Sequence, residues 1–190
     1  LREDAMSVEI ETDRLTLTPL TQADVPAVAR ILGDARVARM LRVIPHPFPP
    51  EDAAAYVARL GAGAGVERAW GIRRKGDPAL IGVISAKFPA TGETPRLGYY
   101  LDPAFWGCGI MSETVAALVA RLFDEGAPAV EAGVFDDNPA SRALLERLGF
   151  AFAPAADEWC VGRGAHVPYA YGRVTADGFR AARAHARTSA

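Results

Sequence analysis

Polar and apolar residues alternate through Arg14-Leu15-Thr16-Leu17-Thr18-Pro19, the period of two that sets one face of a strand against a core. The period then lengthens. Val25, Val28 and Leu32 recur at helical intervals behind Thr21 and Asp24, which have capping-box spacing; Pro26 makes Asp24 the alternative cap. The run Ile44-Pro-His-Pro-Phe-Pro-Pro50 lacks the amide donors of helix or inner strand and predicts a stiff loop. A second helix is expected over 51–60. Two β-rich stretches, 68–74 and 79–88, flank Lys75-Gly76-Asp77-Pro78 and predict a hairpin, with a further strand over 96–101. Val115, Leu118, Val119 and Leu122 then share one helical face. After a strand over 130–135, Asn138 offers an N-cap and Pro139 suits the first helical position. Ser141, Leu144, Leu145 and Leu148 share a face before Gly149. From Phe150 the chain is β-rich, with a turn at Gly162-Arg163-Gly164 and a strand over 167–174; 177–187 reads as a helix or a loose tail.

Strands mixed with helices, in a chain of 190 residues without internal repeats, predict one α/β layered domain. A net charge of −2 and a pI of about 6.0 give no global attraction to nucleic acid or an anionic membrane. Arg180, Arg183 and Arg187 fall near helical spacing and read as a solvated face. Cys108 and Cys160 stand outside any CxxC pattern, which argues against a structural metal or disulfide framework and for a reducing cytoplasm. The opening residues lack the apolar stretch of a signal peptide.

The chemistry is expected between the strand ending at Leu101 and the next helix. Asp102-Pro103 is followed by Gly107-x-Gly109 and a helix start. The first turn of a helix leaves amides unsatisfied and carries partial positive charge, while glycines let a ligand approach the backbone. The order therefore suits an anionic group such as a phosphate, although a glycine pair also serves a plain turn. Neither the Gly-Lys-Ser/Thr of a Walker loop nor the three glycines of a dinucleotide fingerprint is present.

The segment Leu97-Gly98-Tyr99-Tyr100-Leu101-Asp102-Pro103-Ala104-Phe105-Trp106-Gly107-Cys108-Gly109-Ile110-Met111-Ser112-Glu113-Thr114 resembles the acetyl-CoA motif of the GNAT superfamily, nearest the branch with the RimJ/RimL N-terminal acetyltransferases. Glu11 to Leu20 is similar to that branch's opening strand, and Asn138 to Phe150 to its late Asn-x-x-Ser helix. The resemblance spans residues 8–175 as one domain, with 1–7 as an extension and 176–190 as a tail. It implies an α/β (α+β) GNAT fold whose mixed, mostly antiparallel sheet of about 6–7 strands splays at its middle, flanked by about 4 helices. Acetyl-CoA would lie in the split. Its pantetheine would pair beside Tyr100 and Leu101, and its pyrophosphate would rest near Trp106 on the amides of Gly107, Cys108, Gly109, Ile110, Met111 and Ser112. Asn138 and Ser141 match positions lining the pantetheine path. Three departures stand out: Trp106 where arginine or glutamine is common, Cys108 where a basic residue is frequent, and Met111 where a small one is usual.

The implied reaction moves an acetyl group directly from acetyl-CoA, the co-substrate, to a primary amine, with no metal. Leu101 supplies the implied oxyanion amide. Arg96 stands where the family often has its carboxylate base, leaving Glu93 and Asp102 as substitutes, with Tyr99 or Tyr100 to relay a proton. Leu145 replaces a common acid tyrosine, leaving Ser141, Tyr169 or Tyr171. His46 borders the implied acceptor site, and Arg96 is expected either to bind an acceptor carboxylate or to pair with Glu93 or Glu113. The acceptor stays open between a protein N-terminus and a small molecule, and the oligomer between monomer and homodimer, in the cytoplasm. The alternative is a GNAT-fold acyl-CoA-binding module that has lost its catalytic residues.

Overall fold

The structure, a computed structural model, describes residues 9–61, 66–89 and 94–188. Glu93 and the segment 1–7 lie outside the described residues. In chain order the elements are β1 (Ile10–Glu11), β2 (Leu15–Pro19), α1 (Val25–Gly33), α2 (Ala35–Ala38), α3 (Pro50–Gly61), β3 (Glu67–Arg74), β4 (Gly82–Lys87) and β5 (Arg96–Leu101). There follow α4 (Ile110–Asp124), β6 (Val130–Phe135), α5 (Pro139–Arg147), β7 (Ala151–Phe152), β8 (Ala156–Cys160), β9 (Ala165–Val174) and α6 (Ala176–Thr188).

The strands form one nine-stranded sheet in the order β1-β2-β3-β4-β5-β6-β9-β7, with β8 also paired to β9. Every pairing is antiparallel except β5 with β6. The fold is the mixed, mostly antiparallel α/β arrangement expected, with more strands than the expected 6–7. The additional ones have physical reasons. β1 and β7 are too short to show a period, and β8, Ala-Asp-Glu-Trp-Cys, is largely exposed. A four-residue α2, capped by the Asp34 side chain on the Arg36 amide, is equally short of signal.

Thr21 and Asp24 do box the first helical entrance, the Thr21 amide donating to Asp24 Oδ2 at 2.9 Å. They cap a 3₁₀ turn over Gln22–Asp24, and α1 proper begins at Val25 with Pro26 in its first turn. Asp24 is buried and is met by Arg73 Nη2 at 2.7 Å.

Two cores form, one on each face of the sheet. Val115, Leu118, Val119 and Leu122 of α4, with Leu144 and Leu145 of α5, pack on one face against Leu15, Leu17, Ile72 and Ile84. Burying each such side chain contributes about 1.5–3 kcal/mol. On the other face Val28, Ile31 and Leu32 of α1 and Val57 and Leu60 of α3 cover Val83 and Tyr100. The central strands are thus held between two helical layers, which fixes β5 and β6 in the middle.

Segment 34–46, between α1 and α3, is clamped to the β8–β9 turn. Arg163 donates to both Asp137 oxygens at 2.8 and 2.9 Å and to Arg39 O at 2.6 Å, while Arg39 reaches Asp137 Oδ2 at 2.7 Å. The Val161 amide adds a bond to Arg42 O at 2.9 Å. The Arg163 hydrogen bonds hold the Asp137 carboxyl below its ordinary range, against a smaller opposing effect of burial. A carboxyl depressed in the folded state contributes its full stability above its unfolded pKa, about 3.9, and loses it as the pH falls through the lower folded value. The melting temperature should therefore drop in acid. Calorimetric scans between pH 7 and pH 3 should show Asp137→Asn melting about 1–3 °C lower at neutrality, with a shallower acid decline than the parent.

Candidate active site

The site begins where the sheet parts. Parallel pairing of β5 with β6 covers only Arg96 with Glu131 and Leu97 with Ala132, whereas β4–β5 and β6–β9 pair along their lengths. The Asp102 amide donates to Ile81 O at 2.8 Å, and along an antiparallel strand the bonding direction alternates. Tyr100 and Gly98 therefore also turn their amides toward β4. On the other side the Glu131 amide donates to Pro95 O at 2.9 Å, so Leu97, Tyr99 and Leu101 turn theirs toward β6. Past Leu97 there is no paired β6 residue. The amides of Tyr99 and Leu101 thus face the split, and Leu101 O is capped by the Trp106 indole N–H at 2.9 Å. Tyr100 differs from expectation: its amide belongs to the β4 ladder, so only its ring, on the α3 side, reaches the cleft.

A tight turn then carries the chain into α4. Asp102 Oδ1 accepts from the Ala104 amide at 2.9 Å and caps the turn Pro103–Phe105. Gly107 and Gly109 adopt φ of 76° and 73°, the left-handed region that L side chains resist. The first helical bond of α4 runs from the Glu113 amide to Gly109 O at 3.1 Å. The amides of Ile110, Met111 and Ser112 precede it and have no intrahelical partner. Arg14 braces this turn: Nη1 donates to Cys108 O at 3.1 Å and Nε to Glu113 Oε2 at 2.6 Å. Burial works to raise the Glu113 carboxyl, but hydrogen bonds from Thr12 and Arg14 outweigh it and hold the group below its usual range.

The split opens into a cleft of about 1540 Å³ that joins the turn to both sheet halves. Gly107, Gly109 and Met111 line its turn end, with Trp106, whose ring lies 5.9 Å from the Arg36 guanidinium. Asn138 and Ser141 line the α5 side. Asn138 caps α5 by accepting from the Ser141 amide at 3.2 Å, and Ser141 Oγ shares a 2.8 Å hydrogen bond with the Tyr99 hydroxyl. Burial pushes Tyr99 up to about 12 against the pull of that bond, so it is a neutral O–H at physiological pH. Tyr169 also lines the cleft, its pKa raised to about 12 by burial and by Tyr171. Its ring lies where a Gly133 Cβ would stand, within 2.4 Å, so only glycine fits there.

On the α3 side the cleft holds Glu67, Ser85, Tyr56 and Tyr100. Ser85 Oγ donates to Glu67 Oε1 at 2.9 Å and Arg59 Nη1 donates to Oε2 at 2.8 Å. Burial drives Tyr100 well above its ordinary pKa, helped by Tyr56. Tyr56 is itself raised to about 12 by burial and by Glu67.

Several expected groups stand elsewhere. Asp102 is buried with both oxygens committed, to the turn and to Arg30 Nη1 at 2.6 Å, which makes it a structural carboxylate rather than an available base. Arg96 pairs with Glu131 at 3.0 Å, not with Glu113, and its guanidinium covers the Tyr171 ring at 4.7 Å. Ile44, Pro45 and Phe48 line the cleft but His46 does not; its Cβ lies against Gly162. Cys108 is exposed beside the turn, its Sγ directed to Trp106 O at 3.5 Å. Tyr171 donates to Glu158 at 3.4 Å. Glu67, Ser85 and Arg14 were not singled out in the sequence, because each gains its partner only in the tertiary fold: Ser85 meets Glu67 across β3 and β4, and Arg14 meets Cys108 and Glu113 at the start of α4. Among the described residues no group of three or more His, Cys, Asp or Glu side chains is arranged to hold a metal ion, and no helix is long and apolar enough to cross a membrane.

Known proteins share this arrangement. A family model described as the acetyltransferase (GNAT) domain matches residues 14–151. The uncharacterized N-acetyltransferase YoaA of Bacillus subtilis (strain 168) is 32% identical over 147 residues, 74% of this chain and 81% of that protein. Among solved structures, RimL, a ribosomal L7/L12 α-N-protein acetyltransferase in complex with coenzyme A, superposes with a TM-score of 0.79 at 21% identity, covering 90% of this chain and 99% of that one. RimJ of Mycobacterium smegmatis, in complex with CoA-disulfide, superposes with a TM-score of 0.76 at 18% identity, covering 90% and 87%. In fold the chain is RimJ/RimL-like.

The left-handed turn makes a direct stability claim. Gly109→Ala places a Cβ at φ 73°, 3.4 Å from Arg14 Nη2, and should cost about 1–2 kcal/mol, read as a lower urea midpoint with unchanged slope.

Proposed function

The chain belongs to the GNAT acetyltransferase family, and we propose that it moves an acetyl group from acetyl-CoA to a primary amine within the β5–β6 split. The observation that carries this reading is the alignment of two outward-turned amides, Tyr99 and Leu101, with the unpaired amides of Ile110, Met111 and Ser112 along one cleft. The residues fit the cofactor. The α4 N-terminus supplies donors and partial positive charge for a pyrophosphate. The open space above Gly107, where a Cβ would meet nothing within 4 Å, leaves room for it. The exposed edge of β5 offers the pantetheine the hydrogen bonds that β6 does not make. A chain entering from the turn passes Leu101 before Tyr99, so these amides are the pantetheine and oxyanion donors in that order, which moves the oxyanion donor two residues deeper than the Leu101 that the family resemblance implied.

Tyr99 and Ser141 face the leaving sulfur in this reading. A phenol near 12 is a weaker acid than an ordinary thiol near 8.5. Giving its proton outright would be uphill by about 5 kcal/mol. The pair therefore steadies the departing thiolate by hydrogen bonding and does not act as a full acid. Proximity in the split and preorganised amides supply most of the acceleration. The Tyr99–Ser141 pair, together with the Ser85–Glu67 pair across the cleft, favours an enzyme over a binding module.

Calorimetric titration of the protein with acetyl-CoA should give one site per chain, and Gly109→Arg should abolish it by filling the turn. Absence of binding to the parent protein, or normal binding by the arginine variant, sinks the cofactor placement. With a turned-over amine, Ser141→Ala should lower kcat about 10- to 100-fold, a larger effect than any on acetyl-CoA binding.

A further inference from the structure

The α3 side of the cleft contains a polar group that the fold does not use. Tyr100 Oη is buried and has no hydrogen-bond partner among the described residues. The neighbouring Tyr56 hydroxyl presses on its ionisation without making a well-formed bond to it. A buried phenol left unsatisfied is costly and marks a place where a ligand completes the hydrogen bonding. Tyr100 lines the cleft, at only 6% exposure, on the strand whose edge borders the split.

A second pair stands beside it. Ser85 registers with Gly98, and its Oγ lies 3.4 Å from where a Gly98 side chain would begin. The bare glycine leaves that hydroxyl uncovered, one residue before Tyr99. Ser85 gives its hydrogen to Glu67 Oε1, so its oxygen lone pairs are free to accept. Arg59 fixes the other Glu67 oxygen. Around these groups the rings of Phe48, Tyr56 and Tyr100 follow one another at centroid spacings of 6.2 and 6.5 Å.

The geometry points to this pocket as the acceptor site: a primary amine on an aromatic or apolar stem, its nitrogen between Tyr100 Oη and Ser85 Oγ, with Glu67 receiving its proton through Ser85. The inference rests on the acetyl-transfer reading above. An ammonium proton passes to Ser85 Oγ as the Ser85 hydrogen passes to the Glu67 carboxylate. The freed lone pair forms the C–N bond at the thioester carbon. The C–S bond then breaks with its electron pair on sulfur, which takes the second nitrogen proton, and Glu67 returns its proton to solvent. Tyr100 and Ser85 touch the acceptor, and Glu67 acts through Ser85.

The test uses acetyl-CoA with 2-phenylethylamine and with 2,2-difluoro-2-phenylethylamine, whose fluorines leave far more of it neutral at pH 7. Free thiol is followed, and acetyl-CoA binding is measured separately by calorimetry. Tyr100→Phe should raise the amine KM about tenfold without lowering the melting temperature, since it removes a hydroxyl that no residue satisfies. Glu67→Gln and Ser85→Ala should each lower kcat/KM about 100-fold for 2-phenylethylamine. The loss should be several-fold smaller for the fluorinated amine, which needs less deprotonation. Equal losses for the two amines overturn the relay, and an unchanged KM in Tyr100→Phe overturns the placement of the nitrogen. If neither amine releases thiol while acetyl-CoA still binds, the acceptor proposal falls and the cofactor reading stands; if acetyl-CoA does not bind, the cofactor reading itself falls.

Discussion

The structure depends on the short parallel contact between β5 and β6. Each strand is fully paired on its outer side, β5 to β4 and β6 to β9, so each half of the sheet is satisfied without the other. What joins them is the stretch Arg96–Leu97 against Glu131–Ala132, reinforced by the Arg96–Glu131 ion pair. A sheet joined so narrowly can diverge at little cost, because only a few ladder bonds are forgone. The hydrophobic layers on both faces keep the halves from separating altogether. Polar backbone in a split of this kind is tolerable where water or a ligand meets it.

Around that opening, the acidic side chains mostly serve structure. Asp24 is held by Arg73, Asp102 by Arg30, Glu113 by Arg14, Glu131 by Arg96 and Asp137 by two arginines. Exposed pairs of this sort add little each, but Asp24 and Asp102 are buried, where losing the arginine would leave an uncompensated charge. Glu67 differs because one of its oxygens is bonded to a hydroxyl that itself lines the cleft. Its chemistry follows from what its partner faces, not from its own exposure.

Local signals in the sequence locate most elements of this architecture. The strand over 130–135 has the bounds its pattern implies, and Asn138 and Pro139 open α5 as their side chains dictate. The glycine turn and the helix behind it are likewise local features. Information that depends on register is not visible in this way. That Arg96 meets Glu131, that Ser85 stands over Gly98, and that Tyr100 turns its amide to β4 while Tyr99 turns its own to the split all depend on strands paired across long stretches of chain. Asp102 illustrates the same limit: its position beside the turn suggested chemistry, and the Arg30 that neutralises it lies on α1. β8 falls within the β-rich stretch expected from Phe150, but its bounds are not legible, since most of its residues face solvent and carry no alternating apolar face.

The bracing of the glycine turn by Arg14 links residues far apart in the chain. Its bonds to Cys108 and Glu113 span sequence separations of 94 and 99, so the turn cannot take its final shape until the β1–β2 hairpin has docked beside α4. The shape of that turn and the anchoring of the hairpin are therefore parts of one cooperative unit. A ligand held by the α4 amides stabilises the closed form of that unit by mass action. The slowing of amide exchange on binding would extend into β2, a strand with no residue lining the cleft.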